Sequence, residues 1–286
     1  EMGIRVHAVQ GRGYRLADSV EWLDPNRVAG MLGSLKDRYR LRVVDVVDST
    51  NVALMRDAMA GAQSGSVLCA EHQLQGKGRR GRAWRSVLGG SLTFSVLWRF
   101  EHGIQEISGL SLAVGLAVAR AVNRFSAHQV SLKWPNDLLL DYRKLAGILV
   151  EVQGDLHGSS FAVVGVGLNV NLAPAYRDEI DQAVVDLAEM GVKTGRNQLL
   201  AACLEELDQV VGVLREQGFA ALREDWMRLD AYANRRVKLS MPDGQSLTGH
   251  AQGIDDSGGF VLRDEHGNRR VYSGGEIRLR PLSEAA

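Results

Sequence analysis

A cluster of cations and glycines between two predicted strands constrains the fold of this chain most strongly. Five cations lie within nine residues of a chain whose formal net charge is zero: Lys77, Arg79, Arg80, Arg82 and Arg85. The cluster is therefore local and does not follow from a basic composition. Apolar runs at 66–71 and 90–98 predict a strand on each side. The segment 76–82 is thus predicted to be a loop that joins two strands.

The glycines of this loop indicate an anion-binding turn. Gly76, Gly78 and Gly81 leave backbone N–H groups open to close approach and tolerate positive φ, which is the geometry of an anion-binding nest. A charge run alone is more typical of a solvated, mobile loop. Both interpretations stay open when the loop is considered by itself.

Three familiar nucleotide-binding loops do not fit. The spacing Gly76-x-Gly78-x-x-Gly81, with Glu101 about twenty residues downstream, matches the dinucleotide pattern, but that pattern needs a helix directly after the glycines. A strand follows here. The chain has no Gly-Lys-Ser/Thr string for a Walker A loop, and no His-Arg-Asp or Asp-Phe-Gly string for a protein kinase.

Length and composition set the broad class. A chain of 286 residues with 45% hydrophobic and 24% charged residues is ordinary for a soluble globular protein of two domains, or of one large domain with an appendage. It has no long apolar run and no leader-like start, so we expect a cytoplasmic protein without membrane contact. Cys69 and Cys203 lie in apolar patterns and are expected to be buried and unpaired. The seven histidines lack metal-ligand spacing, so no protein-only metal site is predicted.

Periodicity divides the chain into three predicted parts. Residues 1–20 read as a two-stranded hairpin, which is marginal alone. Residues 21–233 mix strands with helices. The clearest predicted helix spans residues 197–217, with Asn197 as its cap and Gly218 at its end. Residues 234–286 hold five short strands with period-two alternation, which suit a small barrel. The predicted fold class is α+β, with a mixed and largely antiparallel sheet covered by helices.

Polar residues interrupt several predicted strand ends. Asp48-Ser49-Thr50-Asn51 follows a strand, and helix capping explains only one of these four side chains. A predicted hairpin of 138–140 with 145–150 brings Asp137 and Lys144 near opposite ends of one strand pair, although a plain turn lysine is the simpler interpretation. Asn169 lies in an apolar run and needs a partner if buried.

Six strings in this order resemble the biotin protein ligase family, over about Val6 to Leu282. They are Asp48-Ser49-Thr50-Asn51, Glu71-His72-Gln73, Gly76-Lys77-Gly78-Arg79-Arg80-Gly81-Arg82, Lys133-Trp134-Pro135-Asn136-Asp137, Arg143-Lys144-Leu145-Ala146-Gly147-Ile148-Leu149-Val150-Glu151 and Gly165-Val166-Gly167-Leu168-Asn169-Val170-Asn171. One departure is visible, because Lys77 stands where the family loop usually has arginine. The charge stays but the planar fork is lost, which matters only if that position pairs a carboxylate.

The resemblance implies a fold and an activity. The fold is a class II synthetase-like catalytic domain with a C-terminal SH3-like β-barrel. The activity joins biotin and ATP, with Mg²⁺, into biotinoyl-5′-AMP and pyrophosphate, and then transfers biotin to one lysine of a biotin carboxyl carrier protein. A homodimer is also implied. Residues 1–20 resemble the wing that ends a winged helix-turn-helix, so we expect this chain not to bind operator DNA.

The resemblance also assigns residues to roles. Catalytic roles are implied for Arg79, Lys144 and Asp137, and Asp137 is also implied to help place the Mg²⁺. Biotin contacts are implied for Ser49, Thr50, Asn51, Gln73, Lys77, Gly78, Arg79, Lys144 and Gly147. Nucleotide contacts are implied for Gly76, Arg79, Arg80, Arg82, Trp84, Asn136, Lys144 and Asn169.

Two alternatives remain at this point. A lipoate-type protein ligase has a related fold. A biotin-responsive, nucleic-acid-binding repressor would use the basic loop and the C-terminal barrel, and it would need DNA-binding helices upstream of this sequence. Near-neutral charge and a single short basic cluster disfavour the second alternative.

Overall fold

The computed structural model of the chain describes residues 6–11, 13–16, 20–101, 107–154, 158–178, 180, 182–241, 244–273 and 278–281. Its strands are β1 (Val6–Val9), β2 (Gly13–Leu16), β3 (Arg40–Val47), β4 (Ser66–Gln73), β5 (Ser91–Phe100), β6 (Ser131–Lys133), β7 (Asp137–Leu140), β8 (Arg143–Gly154), β9 (Ser160–Asn169), β10 (Arg236–Ser240), β11 (Ser246–Ile254), β12 (Phe260–Asp264), β13 (Arg269–Tyr272) and β14 (Arg278–Pro281). Its α-helices are α1 (Pro25–Leu32), α2 (Thr50–Met59), α3 (Leu110–Asn123), α4 (Pro174–Asp178), α5 (Arg196–Gln217) and α6 (Arg223–Arg228). The prediction of a mixed α+β chain is confirmed.

The largest sheet has seven strands in the order β3-β4-β5-β9-β8-β7-β6. The pair β3 and β4 is parallel, and every other neighbouring pair is antiparallel. Because side chains alternate along a strand, each strand supplies both faces of this sheet. Phe94 and Val96 of β5 join the large core under α3 and α5, whereas Leu97 joins a smaller cluster under α2.

The α2 face of this sheet is the one that carries polar residues. Residues two or four positions apart in a strand point to the same face. Ser95 therefore shares this face with Leu97 of β5, and Gly165 and Gly167 share it with Val163 of β9. Glu151 lies directly opposite Val163 and therefore faces the same way. Small and polar residues on one face leave room for other groups between the sheet and the chain that covers it.

Helix α5 begins differently from the prediction. Its N-cap is Gly195, and Asn197 lies inside the first turn. The Asn197 side chain accepts from the Asp24 N–H at 2.7 Å and donates to the Trp22 carbonyl at 2.8 Å. Capping by Asn197 was therefore the wrong expectation, because tertiary contacts with residues 21–24 use its amide. The helix ends before Gly218 at φ 75°, as predicted.

Two smaller sheets lie at the chain's ends. Strands β1 and β2 pair antiparallel, which confirms the N-terminal hairpin. The C-terminal sheet is antiparallel with the order β13-β12-β11-β10-β14, which confirms five strands there. Within the described residues β13 and β14 are its edges and no pairing closes it. Of the predicted parts 1–20 and 234–286, residues 1–5, 12, 17–19, 242, 243, 274–277 and 282–286 lie outside the described residues. None of the helices described is long and apolar enough to cross a membrane.

Candidate active site

A cavity lies on the α2 face of the large sheet. It is walled by the start of α2, the end of β4, the basic loop, the β6–β7 turn, β8 and β9. Its lining residues are Ser49, Thr50, Asn51, Gln73, Lys77, Gly78, Arg79, Arg80, Arg82, Ala83, Trp84, Lys133, Trp134, Pro135, Asn136, Asp137, Lys144, Gly147, Ile148, Leu149, Gly165, Val166, Gly167 and Gln182. The structure thus brings together every predicted site residue except Gly76 and Asn169.

One end of the cavity is polar but uncharged. Ser49 is the N-cap of α2, yet its hydroxyl makes no capping bond. The first N–H of the helix, that of Thr50, instead donates to Gln73 Oε1 at 2.8 Å. Capping therefore does not occupy the Ser49 hydroxyl. Both residues are buried, with 2% and 3% exposure, so a ligand that meets them is withdrawn from water.

Asn51 holds the polar end to the sheet. Its Nδ2 donates to Glu151 Oε2 at 2.9 Å and to the Leu149 carbonyl at 3.3 Å. Its Oδ1 accepts from Ser95 Oγ at 2.6 Å. A Cβ on Gly165 would lie 2.2 Å from this same Oδ1, so only glycine lets Asn51 approach β9 so closely.

The basic loop forms a tight turn over the other end of the cavity. An isolated bridge pairs Lys77 with Ala83, and the Gly78 N–H donates to the Arg82 carbonyl at 2.7 Å. Arg80 and Gly81 both have positive φ, 62° and 71°. The prediction of a turn between two strands is confirmed. Its two residues with positive φ have the left-handed geometry expected of an anion-binding nest.

Arg79 is the loop cation that reaches furthest inward. Its Nη1 donates to Asn136 Oδ1 at 3.0 Å, while Arg80 and Arg82 are exposed. Burial lowers the pKa of Arg79 from its ordinary value, the neighbouring Arg80 acts in the same direction, and Asp137 opposes both. A guanidinium stays charged under these conditions, so Arg79 brings a partly desolvated positive charge to the cavity wall.

Lys144 and Asp137 form an ion pair in the cavity. Lys144 Nζ lies 2.7 Å from Asp137 Oδ1, and both side chains are mostly buried. The predicted hairpin of β7 and β8 is confirmed, and its turn places Asp141 and Tyr142 at positive φ. The consecutive residues Leu138 and Leu139 pair with Ala146 and Lys144, so β8 has one extra residue at position 145. This shift lets the Lys144 side chain reach back along β7 to Asp137. Lys144 therefore lies in the cavity wall beside an acid and not in the turn at Asp141 and Tyr142.

Trp84 packs on the sheet at a glycine. A Cβ on Gly167 would lie 2.3 Å from the Trp84 ring, so the glycine opens the space that the indole fills. Lys144 Nζ lies 5.9 Å from the ring centroid. Trp84 is half-buried, and its Nε1 has no hydrogen-bond partner among the described residues. One indole face is thus packed, and the ring still contributes to the cavity wall.

Two predicted residues support the cavity from behind. Gly76 is buried and its carbonyl accepts from the Trp84 N–H at 2.8 Å, which closes the base of the basic loop. The Asn169 Nδ2 donates to the Val185 carbonyl at 3.1 Å and to the Lys144 carbonyl at 3.3 Å. In this structure Asn169 therefore fixes the backbone of Lys144 and does not line the cavity.

Sequence reasoning overlooked four polar residues at the site. Lys133 and Gln182 line the cavity, and Ser95 and Glu151 hold Asn51. Lys133 and Glu151 stood inside quoted strings without a role. Ser95 gave only one signal, a hydroxyl among apolar neighbours in a strand predicted to be buried.

The chemistry of the cavity defines the class of protein. One end offers uncharged donors and acceptors, and the other concentrates fixed cations beside an aromatic ring. Among the described residues no cluster of three or more His, Cys, Asp or Glu could hold a metal by itself. Such a cavity in an α+β domain fits an enzyme that activates an acid with a nucleotide.

Comparisons with known proteins agree with this class. Residues 43–171 match the biotin/lipoate A/B protein ligase family, and residues 232–280 match the biotin protein ligase C terminal domain. The bifunctional ligase/repressor BirA of Escherichia coli strain K12 is 36% identical over 280 residues, which cover 98% of this chain and 85% of that protein. The biotin–[acetyl-CoA-carboxylase] ligase of Mycobacterium tuberculosis is 37% identical over 253 residues, which cover 86% of this chain and 91% of that protein.

A solved structure shows the same fold. Biotin protein ligase from Aquifex aeolicus, in complex with biotin and ATP, is similar, with a TM-score of 0.73 and 28% sequence identity. The aligned region covers 85% of this chain and 99% of the Aquifex aeolicus chain. The chain therefore belongs to the biotin protein ligase family, and it is an enzyme of that activity, with biotin and ATP as its substrates.

Proposed function

We propose that this enzyme works in two steps within one cavity. The carboxylate of biotin attacks the α-phosphorus of ATP, which forms biotinoyl-5′-AMP and releases pyrophosphate. A lysine amine of a biotin carboxyl carrier protein then attacks the acyl carbon, and AMP leaves. The observation that carries this proposal is the joining of an uncharged polar end and a cationic end in one cavity.

The uncharged end suits the ureido ring of biotin. That ring has one carbonyl acceptor and two N–H donors and carries no charge. We assign its contacts to Ser49, Thr50, Asn51 and Gln73, which offer both senses of hydrogen bond without a charge that would be costly to bury. Lys77, Gly78 and Gly147 complete this part of the assignment along the path to the carboxylate.

The cationic end suits the reacting groups. Two anions must approach each other in the first step, so fixed positive charge is needed where negative charge accumulates. Arg79 and Lys144 supply it, and Asp137 holds the Lys144 ammonium in place at 2.7 Å. Mg²⁺ enters with ATP as part of the substrate. The Asp137 carboxylate is of the oxygen type that Mg²⁺ prefers and would supply a ligand beside the phosphates.

The nucleotide is assigned to the remaining wall. Trp84 offers a stacking surface for adenine, and Arg80, Arg82 and Asn136 lie along the phosphate side. Gly76 and Asn169 contribute indirectly, by holding the loop and the Lys144 backbone.

No enzyme nucleophile is required for transfer to the carrier. Both cysteines are buried, and burial raises the pKa of the Cys69 thiol and raises that of Cys203 to about 12. Neither thiol is therefore suited to form an acyl intermediate. The carrier lysine is left to attack the adenylate directly, while the basic loop shields that reactive anhydride from water.

The parts around the cavity have proposed roles as well. We assign residues 21–233 to catalysis, residues 234–286 to an SH3-like barrel that covers the site or docks the carrier, and residues 1–20 to a wing hairpin. A homodimer in the cytoplasm is the expected state.

One experiment tests the activity directly. The chain is incubated with labelled biotin, ATP and a purified carrier domain, and acid-stable label on the carrier is measured. Label that requires ATP and the acceptor lysine supports the proposal. Label transfer from lipoate and not from biotin, or stabilisation against heat by lipoate alone, would contradict it.

A further inference from the structure

Glu151 ends a chain of hydrogen bonds that leads to the uncharged end of the cavity. Glu151 Oε2 accepts from Asn51 Nδ2 at 2.9 Å, and Asn51 Oδ1 lies 2.6 Å from Ser95 Oγ. Ser95 Oγ in turn lies 2.8 Å from Thr50 Oγ1. Ser95 is fully buried and Asn51 and Thr50 nearly so, which keeps competing water away from these bonds.

The carboxylate gives this chain a direction. An ionised carboxylate can only accept, so the Asn51 amide must turn its NH₂ towards Glu151 and its carbonyl towards Ser95. The Leu149 carbonyl, 3.3 Å from Asn51 Nδ2, can also only accept and favours the same orientation. Ser95 has one hydroxyl hydrogen and donates it to Asn51. The Thr50 hydroxyl hydrogen then goes to Ser95 Oγ at 2.8 Å or to Gln73 Oε1 at 3.1 Å, because both oxygens can accept it.

This direction determines what the wall offers to a ligand. Thr50 Oγ1 has given away its hydrogen and keeps lone pairs, and Asn51 Oδ1 keeps one of its two lone pairs after accepting from Ser95. Gly165 has no side chain to cover that oxygen. Both oxygens thus act as acceptors on the side of the cavity where the proposed function places the ureido ring.

We propose that Glu151 is a positioning residue that selects the substrate. Acting through Asn51, Ser95 and Thr50, it makes this wall an acceptor of N–H groups, and so favours a cyclic urea over an acid whose ring has no N–H donors, such as lipoate. The inference rests on the proposed placement of biotin, and it adds the residue that decides the sense of the hydrogen bonds.

Glu151→Gln tests the direction while keeping the shape. A glutamine can donate or accept, so only the longer bond from Asn51 Nδ2 to the Leu149 carbonyl, at 3.3 Å, still favours the original direction. We expect the Kd for biotin to rise about tenfold, which corresponds to the loss of one to two ordinary hydrogen bonds. The KM for ATP and kcat at saturating biotin should change by less than about threefold, because uniform binding alone is lost.

A ligand change separates direction from mere structural support. The probe is a biotin analogue whose ring is a cyclic carbamate, with one ureido N–H replaced by oxygen. In the unaltered enzyme an acceptor then faces an acceptor, and we expect binding about a hundredfold weaker than that of biotin. In Glu151→Gln this penalty should shrink to about tenfold, since the chain can reverse.

Two further variants complete the design. Ser95→Ala cuts the chain with little change of volume and should also reduce the carbamate penalty. Gln153 is exposed and lies two residues along β8 from Glu151, on the same face. The Gln153→Ala variant should therefore behave like the unaltered chain. Thermal unfolding of each variant confirms that it is folded.

The outcomes are distinct. A reduced carbamate penalty in Glu151→Gln or, if that variant does not fold, in Ser95→Ala supports the inference. Unchanged binding of biotin, or equal weakening of biotin and carbamate, overturns it. Failure of the unaltered chain to label a carrier from biotin and ATP would instead refute the proposed function, whatever the variants do.

Discussion

The two ends of the cavity are built by different means. At the uncharged end, Thr50 and Asn51 lie at the start of a helix, and their side chains are hydrogen-bonded to side chains of β4, β5 and β8. At the cationic end, Lys77, Arg80 and Arg82 are exposed on a loop that the Arg79 to Asn136 bond ties to the β6–β7 turn. The difference indicates that the end proposed to bind biotin is preorganised, whereas the exposed loop cations of the other end can adjust to each proposed step.

The largest expected effect comes from substitution of Lys144, the cation that its ion pair with Asp137 holds at the cationic end of the cavity. Lys144→Met should reduce adenylate formation about 10² to 10³-fold, because a fixed charge at the site of developing negative charge is lost and Asp137 loses its partner. Pyrophosphate release in a single turnover measures this. Lys193→Met, an exposed lysine, is the matched control. A change of less than threefold would show that Lys144 does not act on the reacting groups.

Substitution of Arg79 tests the loop at the same end of the cavity. Arg79→Gly removes the bond to Asn136 and one of the two cations, but Lys144 remains, so adenylate formation should fall far less than in Lys144→Met. The intermediate should dissociate about ten to a hundredfold faster. Filter retention of labelled adenylate measures the loss. Equal retention by both proteins would mean that the loop does not close over the intermediate.

Substitution of two glycines in β9 should affect the two ends of the cavity separately. A methyl at position 165 would lie 2.2 Å from Asn51 Oδ1, and one at position 167 would lie 2.3 Å from the Trp84 ring. Overpacking of this kind costs about 1 to 3 kcal/mol, so each affinity should fall about tenfold. Gly165→Ala should weaken biotin and spare ATP, and Gly167→Ala should do the reverse. Equal loss of both ligands in both variants would contradict the division of the cavity.

The smallest effect concerns stability beneath the cationic end. Asp230 lies beside β6, the strand that leads into Asn136, and burial raises its pKa to about 6, with the Tyr232 N–H opposing. An acid whose folded pKa exceeds its unfolded value binds more protons when folded, so stability falls as pH rises from about 4 to about 6. Asp230→Asn should therefore be more stable by about 1 to 3 kcal/mol near pH 7.5, and the gain should vanish towards pH 4.

Thermal unfolding of the unaltered chain and of Asp230→Asn across this range checks the sign. The neutral variant should show a flatter curve of Tm against pH. A gain that persists at pH 4, or no gain near neutral pH, would show that Asp230 is not held as a buried acid in the folded state.

Local patterns predicted most of the fold and the cavity. The strands around the basic loop, the β7–β8 hairpin and the five C-terminal strands follow from periodicity and turn residues, which act over a few neighbours. The helix start at Asn197 was wrong because its amide bonds to a segment 173 to 176 residues away in sequence. Sequence spacing carries no information on such distant partners.

The same limit applies to the site. Resemblance named the residues that meet at the cavity, but not those that orient them. Ser95 and Glu151 reach Asn51 across 44 and 100 residues of sequence, and only the pairing of β5, β9 and β8 shows that they share a face. Lys77 shows a further limit, since its exposed side chain lines the cavity while its backbone pairs with Ala83. Whether its charge or its backbone matters depends on the ligand.

The central claim is that one ligand spans both ends of the cavity in a set orientation. A crystal structure of the chain with biotinoyl-5′-AMP tests it most directly. We predict the ureido ring within hydrogen-bonding distance of Ser49, Thr50 and Asn51, and the phosphate beside Lys144 with Arg79 over it. A ligand bound in the opposite orientation, or a basic loop turned to solvent above an occupied site, would contradict it.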